Sequence, residues 1–362
     1  MKAISLFSGM GGDTLGMKNA GVDVVGYSEI NKNARDTHDA NFDCKLIGNG
    51  NIIETTDEEL SEYNDVDIIF AGFPCQGFSH AGKKLPDDPR NSLFREFLRA
   101  AKVINPKIIV GENVRGLLTR KTATGELYID VIVAEFEKLG YDVRYGIIKA
   151  EECGVPQKRE RLFIVGTKHT NPITITEKKG VPYIDISKEN PVGLRSILEF
   201  TVDGAKAVPF DFDSLPEGKI VSDMENDDAP HSNHPYLDLK TSKSVDHYYD
   251  ADRDAYVYGN KAFSHLFSFA KRDSPIHCEI VDIDKPTKTL ICTYSSQPRL
   301  FVPVENKRGK FVRMFTVDEL KQIQSFPADF VMKGTKTAQI TQIGNAVAPK
   351  VCEKLFSVLI ND

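Results

Sequence analysis

Lys2-Ala3-Ile4-Ser5-Leu6-Phe7-Ser8-Gly9-Met10-Gly11-Gly12-Asp13-Thr14-Leu15-Gly16 reads as an apolar strand, a glycine-rich turn and the opening of a helix. Glycines in that position let a nucleotide approach the backbone at the helix N-terminus. Val22–Ser28 reads as a second strand, and Glu29 at its end lies twenty residues beyond Gly9. An acid there accepts hydrogen bonds from ribose hydroxyls. The turn alone is explained as well by simple strand-to-helix geometry. Strand, glycines, helix and acid together favour an adenosine-containing cofactor, without separating S-adenosylmethionine from NAD.

Working outward, further strands are expected at Asp67–Ala71, Lys107–Gly111, Tyr141–Ile148 and Leu162–Gly166. Helices fit between them, clearest at Ser92–Ile104, where Leu93, Phe94, Phe97, Leu98, Ala101 and Ile104 recur at helical spacing before Asn105-Pro106 ends the run. Alternation of this kind predicts a doubly wound α/β lobe built on a parallel sheet. After about Thr170 the regularity fades through roughly Ala255, with β-like runs only later, at Thr289–Thr293 and Leu300–Val304. A second, smaller and irregular lobe is expected there. Pro349–Ile360 places Val351, Leu355, Phe356 and Leu359 on one helical face, predicting a last helix that packs back on the first lobe.

The chain has 362 residues, enough for two unequal lobes, and at 41% hydrophobic and 27% charged its composition is that of a globular protein. The first residues are too short an apolar run for a signal peptide, so a cytoplasmic location and no membrane association are expected. Six cysteines, at 44, 75, 153, 278, 292 and 352, form no C-x-x-C pair, which argues against a zinc site or a disulfide framework. The net charge of −6 does not advertise a nucleic-acid binder, but its distribution is polarised. Lys285–Arg313 carries seven basic residues against the single acid Glu305, whereas Glu199–Asp254 holds fourteen acids and five bases. One phosphate-facing and one solvent-facing surface would produce that pattern, as would ordinary solvated faces.

Three segments carry chemistry. Gly72-Phe73-Pro74-Cys75-Gln76-Gly77-Phe78-Ser79 sets a cysteine just after a buried strand, on the edge where open α/β sheets bind ligands. A lone cysteine there is more often a small core hydrophobe. The flanking Pro, Gln and glycines mark an irregular loop instead. Gly111-Glu112-Asn113-Val114 places an acid at the end of another strand on that edge, suited to acid catalysis or to bonding nearby amides. Gln157-Lys158-Arg159-Glu160-Arg161 leads into Leu162-Phe163-Ile164-Val165-Gly166, so its last arginine should point to the edge and donate to a carbonyl or phosphate oxygen.

Together FSGMGGDTLG, GFPCQGFS, GENVRG, QKRERLFIVG and QIGNAVAP occur in an order and spacing that resembles the DNA cytosine-5 methyltransferase family. The resemblance implies a Rossmann-like catalytic domain over 1–170 plus 338–362 and a target-recognition domain over 171–337. It implies S-adenosyl-L-methionine as cofactor with S-adenosyl-L-homocysteine as product, no metal, and double-stranded DNA as substrate. Cys75, Glu112 and Arg161 become the nucleophile, the group on ring nitrogen 3 and the group on the position-2 carbonyl, with Gln76 and Arg159 beside them. Phe7, Ser8, Gly9, Gly11, Gly12, Glu29, Ile30, Asn51, Ile52, Pro74, Asn345 and Ala346 would line the cofactor pocket. Ser79, Thr289, Leu290 and Arg299 would meet DNA. Arg313-Met314-Phe315-Thr316 with Gln324-Ser325-Phe326-Pro327 resembles the segment that organises the recognition region, although a capped helix with a Pro stop has the same pattern. One departure stands out: Gly50-Asn51-Ile52 replaces the family's Gly-Asp-Ile, whose Asp contacts the adenine amine, which implies weaker cofactor affinity without loss of activity.

Competing readings are a tRNA-directed relative sharing the catalytic residues, a non-catalytic DNA-binding relative, and a nucleotide-dependent oxidoreductase that leaves the Pro-Cys-Gln loop without a purpose. A variable region of about 140 residues lacking Cys-Phe-Thr favours DNA over tRNA. The role would be that of a restriction–modification enzyme, with a cognate endonuclease as possible partner, or protection of phage or viral DNA, in a monomer.

Overall fold

The computed structural model describes residues 1–74, 93–122, 124–210, 220–222, 247–251, 255–258, 279–296 and 298–360. Cys75, Gln76 and Ser79 therefore lie outside the described residues, as does Ser92 at the start of its expected helix. The strands are β1 Lys2–Leu6, β2 Asp23–Ser28, β3 Lys45–Leu46, β4 Ile68–Ala71, β5 Ile108–Val114, β6 Asp142–Lys149, β7 Gln157–Lys158, β8 Glu160–Thr167, β9 Ile175–Lys178 and β10 Val181–Ile184. All but β7 form one nine-stranded sheet, in the order β3-β2-β1-β4-β5-β8-β6-β10-β9. Its helices are α1 Gly12–Asn19, α2 Lys32–Asp39, α3 Asp57–Ser61, α4 Leu93–Ile104 and α5 Tyr128–Glu137.

β3, β2, β1, β4 and β5 run parallel, so the loops that leave them share one edge. The expected all-parallel sheet is corrected at β8, which runs antiparallel between β5 and β6. Only ten residues separate β6 from β8, too few for the crossover a parallel neighbour needs. The sheet also takes in 175–184 through β9 and β10, past the boundary expected at residue 170. Strand β5 runs to Val114 rather than stopping at Gly111, because β8 keeps pairing with it as far as Arg161.

The remaining strands are β11 Ala207–Pro209, β12 Val221–Ser222, β13 His247–Asp250, β14 Ala255–Tyr258, β15 Glu279–Ile280, β16 Thr287–Lys288, β17 Leu300–Asn306 and β18 Gly309–Arg313. Where an irregular lobe was expected, seven of them form a second sheet, β12-β17-β18-β11-β13-β14 with β15 beside β17. The expected strand at Thr289–Thr293 is absent: the paired residues are Thr287 and Lys288, which join β7, and the chain turns after Ile291. Helices α6 Val317–Ile323, α7 Lys336–Asn345 and α8 Pro349–Ile360 follow. Helix α8 packs on the first sheet as expected: Val351, Cys352, Leu355, Phe356 and Leu359 share a core with Ala3, Val24, Phe70 and Val110. No helix of the described residues is long and apolar enough to cross a membrane.

Candidate active site

The reversal of β8 builds the site. An antiparallel strand starts where its parallel neighbours end, so Arg161 at the beginning of β8 pairs with Val114 at the end of β5. Glu112, two residues earlier, shares the face of Val114 and is the diagonal neighbour of Arg161. Arg161 Nε donates to Glu112 Oε1 at 3.0 Å, with the two side chains only 19% and 12% exposed. Arg161 Nη1 donates to the Glu160 carbonyl. Burial pushes the Glu112 carboxyl up from the ordinary carboxylate range, against the pull of Arg161 and Arg159. Burial likewise disfavours the charge of Arg161, and Glu112 favours it.

The segment that leads to Cys75 passes close to the Glu112 carboxylate. A methyl group placed on Gly72 would lie 3.9 Å from Glu112 Oε2 and 3.7 Å from the Phe7 carbonyl. Gly72 therefore stands between the acid and the glycine-rich turn. Asn113, whose side chain leaves β5 opposite to that of Glu112, is buried and donates from Nδ2 to the Phe73 carbonyl at 3.1 Å. It pins the last residues before Cys75. The sequence reading quoted Asn113 inside GENV and gave it no role.

The glycine-rich turn uses backbone that L side chains rarely adopt: Phe7, Gly9 and Gly11 have φ of 57°, 57° and 91°. A non-glycine residue held there is a mark of functional sites. Glu29 steadies the turn, accepting from Gly9 N at 2.9 Å with one carboxylate oxygen and from Asn31 N at 2.7 Å with the other. Each oxygen keeps a lone pair. A Cβ on Gly9 would meet nothing within 4 Å, and Ile30 is 68% exposed, so open space and an apolar surface adjoin the acid. Ser8 is buried and Pro74 half-buried on the same edge. These features fit an adenosine-bearing cofactor: apolar surface for a purine, a carboxylate for a diol, and unshielded backbone for a polar chain. Ile52 is buried in the core and offers only its backbone.

Three residues, expected one each at the reaction, the DNA and the cofactor, are engaged elsewhere in the structure. Arg159, expected in the catalytic group, is 2% exposed and donates to three carbonyls, those of Leu290 at 3.2 Å, Gly344 at 3.1 Å and Ala346 at 3.2 Å. It is a clasp between the chain entering β8, the segment after β16 and the segment before α8. Leu290, expected at DNA, is a core side chain. Ala346, expected in the cofactor pocket, is buried, and its carbonyl also accepts from Gln324 Nε2. Gln157 completes the clasp, donating to Gln324 Oε1 at 2.5 Å and accepting from Leu290 N at 2.9 Å. Gln157 and Gln324 were missed because nothing in their spacing separates a buried glutamine from a surface one. Thr289 is exposed, with its hydroxyl on the Lys158 carbonyl, and Asn345 is exposed. Arg299 is half-buried, with its Nε unpartnered among the described residues.

Comparison with known proteins identifies the family and the fold. The C-5 cytosine-specific DNA methylase family matches residues 1–361. The Type II methyltransferase M1.HphI of Haemophilus parahaemolyticus is 31% identical over 99% of this chain and 86% of its own. M.DdeI of Desulfomicrobium norvegicum, also a Type II methyltransferase, is 30% identical over 98% and 87%. Among solved structures, a DNMT2 variant from Spodoptera frugiperda shares the fold, with a TM-score of 0.66 at 19% identity over 99% of both chains. A carboxylate and an arginine meeting near the segment that ends at Pro74, on a Rossmann-like sheet, thus stand in a chain matched almost end to end: it belongs to the C-5 cytosine-specific DNA methylase family.

Proposed function

We propose that this enzyme methylates carbon 5 of cytosine within a specific double-stranded DNA sequence, by base flipping and a covalent adduct of Cys75 at carbon 6. The observation that carries the reading is the half-buried Glu112–Arg161 pair, whose carboxylate lies against the segment entering Cys75. Carbon 6 is inaccessible within a base stack, so the target must leave it. Arg161 donates to the carbonyl oxygen at position 2. Glu112, held toward its protonated form by burial, gives a hydrogen bond or proton to ring nitrogen 3. Both draw electrons from the ring and favour addition of the Cys75 thiolate. Addition leaves carbon 5 as an enamine carbon. Once methylated, carbon 5 loses its proton to a base, the carbon–sulfur bond breaks, and Cys75 is released as thiolate.

S-adenosyl-L-methionine supplies an electrophilic methyl group when bound, and S-adenosyl-L-homocysteine is left. Phe7, Ser8, Gly9, Gly11 and Gly12 would hold its polar chain, Glu29 its ribose, and Ile30, Asn51, Ile52 and Pro74 its base, with Asn345 closing the pocket. The part of residues 171–337 beyond β10 would read the DNA, with Ser79, Thr289 and Arg299 toward it. The Type II names of the relatives support a restriction–modification role, and phage or viral self-protection would use the same chemistry.

The test is transfer of labelled methyl to double-stranded DNA and to tRNA by the native chain and by Cys75→Ser. Label on DNA cytosine, abolished by the substitution, is the expected result. Transfer confined to tRNA, or persisting in Cys75→Ser, would sink it.

A further inference from the structure

The departure at Asn51 lies in a loop whose hydrogen bonds have a direction. Strands β3 and β2 are parallel neighbours, so the loop after β3 reaches the edge beside Glu29. Contact is close: a Cβ on Gly50 would lie 2.5 Å from the Glu29 carbonyl oxygen. Within this loop Asn51 Nδ2 donates to Glu54 Oε1 at 2.8 Å, and Asn49 Nδ2 donates to Glu54 Oε2 at 2.6 Å. Asn49 Oδ1 accepts from Asn51 N at 2.9 Å, and Asn51 Oδ1 accepts from Ile53 N at 3.2 Å.

A carboxylate only accepts and a backbone N–H only donates. Both partners of the Asn51 side chain therefore require the same orientation of an amide that could otherwise turn over. Its nitrogen faces Glu54 and its oxygen faces Ile53 N, with one lone pair left on the oxygen. Ile30 and Ile53, on the two adjoining loops, are 68% and 61% exposed, an apolar setting for a purine face.

We propose that Glu54 is a positioning residue that fixes Asn51 as an acceptor, so that the loop selects a 6-aminopurine nucleoside cofactor over its 6-oxopurine analogue. An amino group donates to the waiting oxygen, whereas a 6-oxo group would set two acceptors against each other. The negative charge that an aspartate would carry at position 51 stands at Glu54 instead, where it acts through the amide. This inference rests on the cofactor reading of the site.

Calorimetric titration with S-adenosylhomocysteine and S-inosylhomocysteine tests it without turnover. The native chain should prefer the adenosyl compound by about 10- to 100-fold, the ratio expected when a polar group loses its partner. Asn51→Leu should bring the ratio near one, and Glu54→Leu should lower it by about fivefold or more as the amide regains its freedom. Equal binding of both compounds by the native chain, or a ratio unchanged in Glu54→Leu, would overturn the inference. A folded native chain that binds neither would overturn the cofactor reading, and the inference with it.

Discussion

Arg313–Glu319, fully buried, and Arg161–Glu112, half-buried, are both arginine–glutamate pairs, and they are finished to different degrees. Arg313 and Glu319 are 0% exposed and meet twice, Nη1 to Oε2 at 2.8 Å and Nη2 to Oε1 at 2.6 Å. Arg313 also donates to the carbonyls of Met314 and Glu199, while Glu319 accepts from Glu199 N and Thr316 N. Glu112 has one contact with Arg161, and its second oxygen faces Gly72. A carboxylate whose acceptor sites are all taken can only hold structure together. One with an oxygen left without a hydrogen bond among the described residues retains capacity for a substrate atom. Asp13 extends the series: buried with no ion-pair partner among the described residues, it is bonded by the Ser5 and Ser8 hydroxyls, and burial pushes its carboxyl up to about 7.

The largest effect should come from the finished pair. Arg313→Ala leaves a buried carboxylate without its cation and should cost about 3–5 kcal/mol in urea unfolding, whereas Arg313→Met with Glu319→Leu should cost far less. Equal losses in the single and double variants would break the contrast.

Asp13 should show itself through pH. Its folded pKa lies above the unfolded value of 3.8, so its stabilising contribution is complete below the unfolded value and is lost as pH rises through about 7. Relative to Asp13→Asn, the native chain should lose roughly 2–3 kcal/mol between pH 5 and 7. His38 must cancel from the measurement: burial lowers its pKa to about 3 and gives it the opposite slope below its ordinary value of 6.5. The difference between variant and native removes it, and a flat difference would show that Asp13 stays ionised.

Glu112→Gln should lower kcat for methyl transfer by about 100-fold or more while shifting the melting temperature little, since Gln still offers Arg161 an acceptor. A stability loss approaching that of Arg313→Ala would make Glu112 a structural residue. The smallest effect is expected at Thr316, whose hydroxyl accepts from Glu319 N in a capping box at the start of α6. Thr316→Ala should cost about 1 kcal/mol in the same urea assay.

The legible parts of the molecule were those in which a local pattern and a position in the fold coincide. β1, the glycine turn, Glu29 and α8 follow from periodicity and punctuation. Glu112 and Arg161 were placed on one edge because each borders an apolar run. The antiparallel course of β8, which makes them neighbours, depends on the length of a connection. Arg159 went astray because a sequence shows a guanidinium and not the carbonyls it will reach, here as far away as Gly344 and Ala346. Of the second sheet, Leu300–Val304 was legible and lies in β17, but strands of two to three residues such as β11, β12 and β15 are too short to display a period, and their partners lie far along the chain.

The packing of α8 has a consequence for biosynthesis. Phe70 on β4 meets Phe356 at 6.3 Å between ring centroids, and the core on this face of β1, β2 and β4, which α1 enters through Met17, is completed by Val351, Leu355 and Leu359 of α8. At roughly 5–20 residues per second, that face waits on the order of half a minute between leaving the ribosome and being covered. Throughout that interval the nascent chain is a substrate for chaperones, and a premature stop within 349–360 would release it permanently in that state.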